Sequence, residues 1–314
     1  MSDLNSDLSA LRDQRVLVTG ASGFLGTHLL RRLTGSGVWV FCLTLPGEPP
    51  TSQWPDRCIL LPVDVRDRSG VFQAFDWTRP DIVFHLAAVG VTQPEIEPER
   101  AMAVNVEGTV NILEACRHVR TRRMVHVGTS FEYCDPTNAY IASKRAAWAF
   151  VQGYARSEQL PVVCLRLFHA YGPSQPAKAL IAGAILAAIK EQDFEMTPGA
   201  QWRDLIYVDD LVDGMVRSAV QPGIESMTLD LGTGREHQVA YVVRRIYAMT
   251  DSKGIPKVGA VPYRPSEVMR LLADAERTEG LLNWRCQVDL DAGLAKTIQW
   301  YRDQTSHGGC AGVV

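Results

Sequence analysis

With 314 residues, 46% of them hydrophobic and 21% charged, the chain can bury one large core or two unequal ones. A formal net charge of -3 and an isoelectric point near 6.2 provide no basic field for a nucleic acid backbone and no polybasic segment for an anionic membrane, so the expected partner is a small molecule. The seven cysteines (Cys42, Cys58, Cys116, Cys134, Cys164, Cys286, Cys310) are scattered and include no CxxC pair, which argues against a disulfide framework or a structural zinc site and for a reducing, cytoplasmic setting.

The opening stretch MSDLNSDLSALRDQ has no apolar run behind a basic start and is expected to be a solvated leader, not a signal peptide. RVLVT, residues 15–19, is a β-branched run closed by glycines, and HLLRRLTGSG carries apolar residues at helical spacing until Gly35 and Gly37 stop it, so strand, tight turn and helix follow one another. WVFCLT, CILLPVD, DIVFHLAA, MVHVGTS and VVCLRLF are continuous apolar runs of strand length, with helical stretches such as 106–117 and 142–155 among them. This alternation predicts an α/β fold with a doubly wound parallel sheet covered on both faces. Ligands of such sheets bind beyond the carboxyl ends of the strands, where Gly20, Ala87, Thr129 and Phe168 fall.

After Pro173 the rhythm breaks. The apolar run 179–189, between Lys178 and Lys190, is shorter than the ~20 residues of a membrane span and is expected as a buried or interfacial helix. A polar segment, EQDFEMTPGAQWRD, leads to a strand and helix, LIYVDDLVDGMVRSAV, that look like the earlier units. The expected division is residues 1–173 plus about 205–232 for a dinucleotide-binding domain, and about 174–204 plus 233–314 for a smaller C-terminal α/β lobe, with a frayed tail SHGGCAGVV.

The turn Gly20-Ala21-Ser22-Gly23-Phe24-Leu25-Gly26 lets the backbone approach a pyrophosphate and sets it at a helix N-terminus, where open N–H groups and the dipole favour anions. At the end of the second strand, where an acid often holds the ribose of NAD, stands Thr44, and no arginine adjoins it, although Arg31 or Arg32 lies within reach in sequence. The cofactor is therefore read as NAD(P)(H), tipped toward NADP. Asp64 and Val65 end the third strand at the cofactor edge, where Asp64 can accept from an adenine amino group. His85 and His126 read as packed strand residues with no metal-sharing partner, and no metal is assigned; His169 ends a strand facing the expected pocket and is a candidate substrate contact. Thr129, eleven residues before Tyr140, can hydrogen-bond the oxygen that Tyr140 protonates, with Ser130 as the alternative. Tyr140 and Lys144 share a helix face at i and i+4, so the ammonium can favour the phenolate, and bringing a phenol from ~10 to roughly 7 takes about 4 kcal/mol.

Together these residues resemble the extended short-chain dehydrogenases/reductases, especially the epimerases, dehydratases, decarboxylases and ketoreductases of nucleotide sugars, over about residues 15–301. TGASGFLG is similar to the family's turn, DVRD to its adenine-side aspartate, HLAA (Leu86, Ala87, Ala88) to the strand end beside the nicotinamide ribose, and NVEGTVNILEAC to a helix beginning with asparagine, here Asn105. YIASK, RLFHAYGP, RDLIYVDD, LDLGTG and RPSEV match later landmarks. The resemblance implies a Rossmann-type domain with a smaller nucleotide-sugar lobe, and a homodimer through helices 98–117 and 140–154. It also implies that Thr129 is a hydroxyl partner, Tyr140 the acid/base, Lys144 its ribose-binding activator, and Arg203 and Arg264 the diphosphate ligands. The chain departs from the family in three places. Ser130 and Phe131 stand where 4,6-dehydratases carry Asp and Glu, His169 replaces a usual asparagine, and Tyr133 and Tyr140 are only seven positions apart, so the pocket is expected to be open. Glu132 and Cys134 border that segment, either as a replacement acid/base or, by preference, as a solvated carboxylate and an idle thiol.

Among the reactions, C4 ketoreduction of a 4-keto-6-deoxy sugar ranks marginally ahead of 4-epimerisation with retained NAD, and dehydration or decarboxylation comes third. A catalytically silent dinucleotide sensor is the reading from another class, against which Thr129, Tyr140 and Lys144 weigh.

Overall fold

The computed structural model describes residues 4–47, 54–92, 95–264 and 267–306; the tail expected to fray, with Cys310, lies outside them beyond Ser306, as do Pro265 and Ser266 of the RPSEV run. The chain forms two compact units, one from residues 1–167, 212–230 and 276–284, the other from 168–211, 231–275 and 285–314.

The first unit carries strands β1 (Val16–Thr19), β2 (Val40–Thr44), β3 (Cys58–Pro62), β4 (Ile82–His85), β5 (Arg123–Thr129) and β6 (Val162–Leu167). Next along the chain come β7 (His169–Tyr171), β8 (Phe194–Met196), β9 (Trp202–Tyr207), β10 (Thr228–Leu231), β11 (Glu236–Gln238), β12 (Pro256–Val258) and β13 (Arg270–Leu271). The main sheet runs β10-β6-β5-β4-β1-β2-β3, parallel from β3 to β6. Every residue of β1, β4 and β5 is buried, which is why their sequences are continuously apolar and not alternating: helices cover both faces. The strand order reverses between β1 and β4, and this switch point is the crevice position of a Rossmann-type sheet. Leu17, Phe75, Val83, Ile112 and Met124 pack in one core beneath it.

The N-terminal segment corrects one expectation. It is a helix, Leu4–Leu11, not a solvated leader: Leu8 and Leu11 are buried, and Asp7 pairs with Arg217. Two leucines three apart on a helix share a face, and that apolar face docks.

In the second unit β9 lies between β11 and β13 and also pairs with β7, while β12 pairs with β8. LIYVDD thus looks like another unit of the main sheet and is not one. Leu205 and Tyr207 of β9 instead enter a core with Ile185, Val243, Leu294 and Tyr301, and the strand that extends the main sheet is β10. The expected limits near 173, 205 and 232 accordingly stand beside observed ones at 167, 211 and 230, with 276–284 joining the first unit. The apolar run at 179–189 is the helix Leu180–Ile189, buried along Ile181, Ala182, Ile185 and Ala188.

Asp204, fully buried, organises this unit: its carboxylate accepts from the Thr233 amide (2.8 Å) and hydroxyl (2.7 Å), the Gly234 amide (2.9 Å) and the Ala273 amide (3.3 Å). Asp204→Ala leaves those donors unpaired and is expected to destabilise the fold by roughly 2–4 kcal/mol, to be read as a lowered urea midpoint.

Candidate active site

β1 leads into a turn whose shape depends on absent side chains. Gly20 has φ +66°, and a Cβ there would stand 2.7 Å from the Ala87 amide nitrogen; one on Gly26 would stand 2.4 Å from the Gly20 carbonyl oxygen. Strand end, turn and β4 terminus can approach this closely only without them. The helix Phe24–Gly35 then starts on Gly23 with no side chain capping its first N–H groups. An uncapped helix start behind a glycine turn fits the pyrophosphate of a dinucleotide; Ser22, Phe24 and Leu25 stand in that turn, whereas the Gly23 amide already donates to the Gly20 carbonyl at 3.2 Å.

At the β4 terminus the Leu86 amide donates to the Thr19 carbonyl (3.2 Å) and the Ala87 amide to Thr19 Oγ1 (3.2 Å), and Ala88 follows. Thr19 and His85 are register partners, and their side chains meet at 2.7 Å on Nδ1. Thr109 gives its hydroxyl proton to the Asn105 carbonyl (2.7 Å), so it accepts from His85 Nε2–H at 3.0 Å, and the tautomer is fixed. Burial, aided by the Lys144 charge, holds His85 down to about 3; the neighbouring His126 is likewise held well below the usual histidine range by burial, Lys144 and His85. Both are neutral members of the sheet.

Thr129 ends β5 and caps the short 3₁₀ turn Ser130–Tyr133, in which Ser130 is buried. The helix Ala139–Ser157 follows, capped by Asn138, whose Oδ1 accepts from the Ile141 amide at 2.9 Å. Tyr140 and Lys144 sit on its buried face, and Lys144 Nζ donates to the Val127 carbonyl at 2.8 Å, tying the helix to β5. Burial pushes the Tyr140 phenol up to about 12, the Thr129 hydroxyl acts downward on it and the Glu132 charge upward. In the free protein desolvation thus outweighs the lowering expected from Lys144, which is itself held below the usual lysine range by burial.

Asn105 braces the structure around it. Only 1% exposed, it accepts from the Val89 amide (2.9 Å) and donates to the Val89 carbonyl (3.1 Å) and Ser143 Oγ (2.9 Å), and Ser143 Oγ donates in turn to the Tyr140 carbonyl (2.9 Å). It lies not at a helix start but in a π-helical stretch, Met102–Glu107, between Pro98–Ala101 and Gly108–Val119.

On the adenosine side, Thr44 is buried and its hydroxyl reaches the Leu61 carbonyl at 3.5 Å. Arg66 grips both oxygens of Asp64, down to 2.6 Å, and holds that carboxyl below the usual range; Val65 is buried and takes the Asn111 amide on its carbonyl at 2.9 Å. Arg32, one of the two candidates for a 2′-phosphate, is paired with Asp213 at 2.8 Å.

The remaining expected residues belong to the second unit. Phe168 is buried and its amide donates to the Leu231 carbonyl at 3.0 Å. Burial and the Arg203 charge hold His169 down to about 3, so it offers a neutral ring. Arg203 is buried and donates to Glu267 at 2.7 Å, whereas Arg264 is exposed; the Glu267 amide donates to the Arg264 carbonyl at 3.0 Å, so one glutamate links the two arginines.

Glu132 was expected as a solvated carboxylate, and it is not solvated: its side chain is 1% exposed, Oε1 accepts from the Thr129 amide at 3.0 Å, and Oε2 from Arg166 Nε at 3.0 Å. The signal for it was present as a Thr-x-x-Glu spacing, the pattern of a capping box. Ser143 and Val89, partners of Asn105, have no comparable local signature. The short segment between Tyr133 and Tyr140 is closed locally, with the Cys134 carbonyl accepting from Arg145 at 2.8 Å.

The family described as NAD dependent epimerase/dehydratase matches residues 16–226. The chain is 30% identical to a probable dTDP-glucose 4,6-dehydratase of Sinorhizobium fredii, over 91% of this chain and 92% of that protein. It is 29% identical to a UDP-glucose 4-epimerase of Mycolicibacterium smegmatis, over 93% and 99%. The solved structure of a Thermus thermophilus UDP-glucose 4-epimerase in complex with NAD superposes with a TM-score of 0.83 at 26% identity, covering 91% of this chain and 98% of that one.

Asn105→Leu leaves Val89 and Ser143 without their partners inside the fold. It is expected to destabilise by about 2 kcal/mol in chemical denaturation and to weaken dinucleotide binding, because the start of the Tyr140 helix loses its brace.

Proposed function

Since the chain belongs to the NAD dependent epimerase/dehydratase family, we propose that it exchanges a hydride at C4 of a nucleotide-linked sugar, Tyr140 carrying the proton. The observation that carries this is the meeting of Thr129, Tyr140 and Lys144 at the carboxyl end of β5 in a buried setting. A dinucleotide whose pyrophosphate sits at the glycine turn would supply the hydride acceptor and donor through its nicotinamide. Tyr140 takes the proton of the sugar hydroxyl as the carbinol is oxidised and returns it as the ketone is reduced, while the Thr129 hydroxyl, or the buried Ser130 beside it, holds the same oxygen. Lys144 favours the phenolate and excludes bulk water from beneath the ring. Arg203 and Arg264 are the proposed diphosphate ligands, and the neutral His169 a sugar contact.

Elimination is disfavoured on two grounds: Ser130 and Phe131 cannot act as the acid pair of a dehydratase, and Glu132 is engaged by Arg166 and the Thr129 amide. Epimerisation with NAD retained is the first reading. The Arg32–Asp213 pair engages one of the two alternative arginines for a 2′-phosphate, which favours NAD over the expected NADP and so a redox-neutral cycle. Ketoreduction with dissociable NADP is the second reading, favoured by Thr44 standing where an acid would select a free ribose hydroxyl.

A homodimer is proposed through the helices at 98–119 and 139–157. Met102 (50% exposed) and Phe150 (47% exposed) border a concavity of about 450 Å³ there, an arrangement that a symmetric partner would cover. No described helix is long and apolar enough to cross a membrane, and a cytoplasmic location is proposed from the cysteine pattern.

Incubation of UDP-glucose or dTDP-glucose with NAD is expected to yield the 4-epimer of unchanged mass without net change in nicotinamide absorbance; consumption of NADPH with their 4-keto-6-deoxy derivatives would favour the second reading. Tyr140→Phe is expected to lower kcat by about 10²–10⁴-fold with cofactor binding retained, and an unchanged rate would refute the assignment. In light scattering at micromolar concentration the protein is expected to run as a dimer and the Met102→Glu/Phe150→Glu double variant as a monomer.

A further inference from the structure

We infer that Glu132 is a positioning residue of this site: its buried carboxylate fixes the end of β5 that carries the Thr129 hydroxyl and sets the local charge balance of Tyr140 and Lys144. The inference rests on the reading of Tyr140 as the acid/base and adds to it a residue three positions after Thr129 that acts through the Thr129 amide and its own charge.

The grip on β5 is bilateral. Lys144 Nζ donates to the Val127 carbonyl at 2.8 Å, Glu132 Oε1 accepts from the Thr129 amide at 3.0 Å, and the Phe131 amide returns to Thr129 Oγ1 at 3.4 Å. Between the two grips stands Gly128, where a Cβ would come within 2.3 Å of Glu132 Oε1, so the carboxylate occupies the place of a side chain. The Val127 carbonyl, two residues before Thr129, and the Thr129 amide are thus both held, which leaves the Thr129 hydroxyl little latitude.

A carboxylate this deeply buried requires a counter-charge. Arg166 supplies it from β6, Nε to Oε2 at 3.0 Å, with its guanidinium 4.3 Å from the Tyr133 ring centroid and 5.1 Å from that of Trp148. Tyr133 is fixed in turn by Asp230 of β10, at 2.9 and 3.0 Å to its two oxygens. The groups facing this carboxylate are thus the Thr129 amide on its own turn, Arg166 on β6 and Lys144 on the Ala139–Ser157 helix. Those acting on Tyr140 are Thr129 and Glu132. Burial is the larger influence on both groups; the Glu132 charge acts upward on both, adding to burial at the Tyr140 phenol and opposing it at the Lys144 ammonium. Removing that charge makes the phenol easier to ionise and the ammonium easier to discharge.

The test reads the pH dependence of NAD⁺ affinity, which needs no sugar substrate. Ionisation of Tyr140 favours the positive nicotinamide, so affinity measured by calorimetry from pH 6 to 10 should rise above an inflection that Tyr140→Phe abolishes. In Glu132→Gln the inflection is expected to move down by about one pH unit. Because Glu132→Gln leaves Arg166 buried without its partner, the double variant Glu132→Gln/Arg166→Met, which removes the pair together, is measured beside it and should move the inflection in the same direction. A purely structural Glu132 would lower the melting temperature in either variant and leave the inflection in place, which overturns the inference while the role of Tyr140 stands. An inflection absent from the wild type, or surviving Tyr140→Phe, overturns the Tyr140 reading and the inference with it.

Discussion

A lysine ammonium buried to 4% exposure is the constraint around which the first unit is arranged. A charge in so little water must be matched by dipoles and counter-charges, and here the Val127 carbonyl accepts from it directly while Glu132 stands near enough to raise it. That requirement ties the Ala139–Ser157 helix to β5 and brings Tyr140 beside Thr129. It also helps keep His85 and His126 neutral, since a second positive charge in the same low-dielectric layer would repel the first.

The layer beneath the site is polar but ordered. Hydroxyl, imidazole and amide form one directional chain, from the Ala87 amide through Thr19, His85 and Thr109 to the Asn105 carbonyl, and the Asn105 amide continues it through Ser143 to the backbone of Tyr140. Each donor has one acceptor along it. A buried network satisfied in this way rigidifies its surroundings, so the strand end expected beside the nicotinamide and the helix carrying the phenol move as one piece.

The second unit is organised by a different device, the Asp204 carboxylate, which gathers amides from segments near residues 233 and 273 into one strand end. Arg203, next to it in β9, pairs with Glu267, so the strand is tied to the segment near residue 267 through a buried guanidinium.

Much of this was legible along the chain, because it depends on neighbours. Continuous apolar runs meant strands buried on both faces, the glycines of the first turn meant close backbone approach, and the i, i+4 spacing of Tyr140 and Lys144 put both on one helix face. What the folded chain alone decided depends on distant partners. LIYVDD has the composition of a main-sheet strand and lies in the other sheet because its pairing partners are β7, β11 and β13. Asn105 is locked as a brace because Val89 and Ser143 converge on it, and Glu132 is buried because Arg166, thirty-four residues later, returns to neutralise it. Local geometry is written in spacing; burial of a polar group is set by what the fold brings to it.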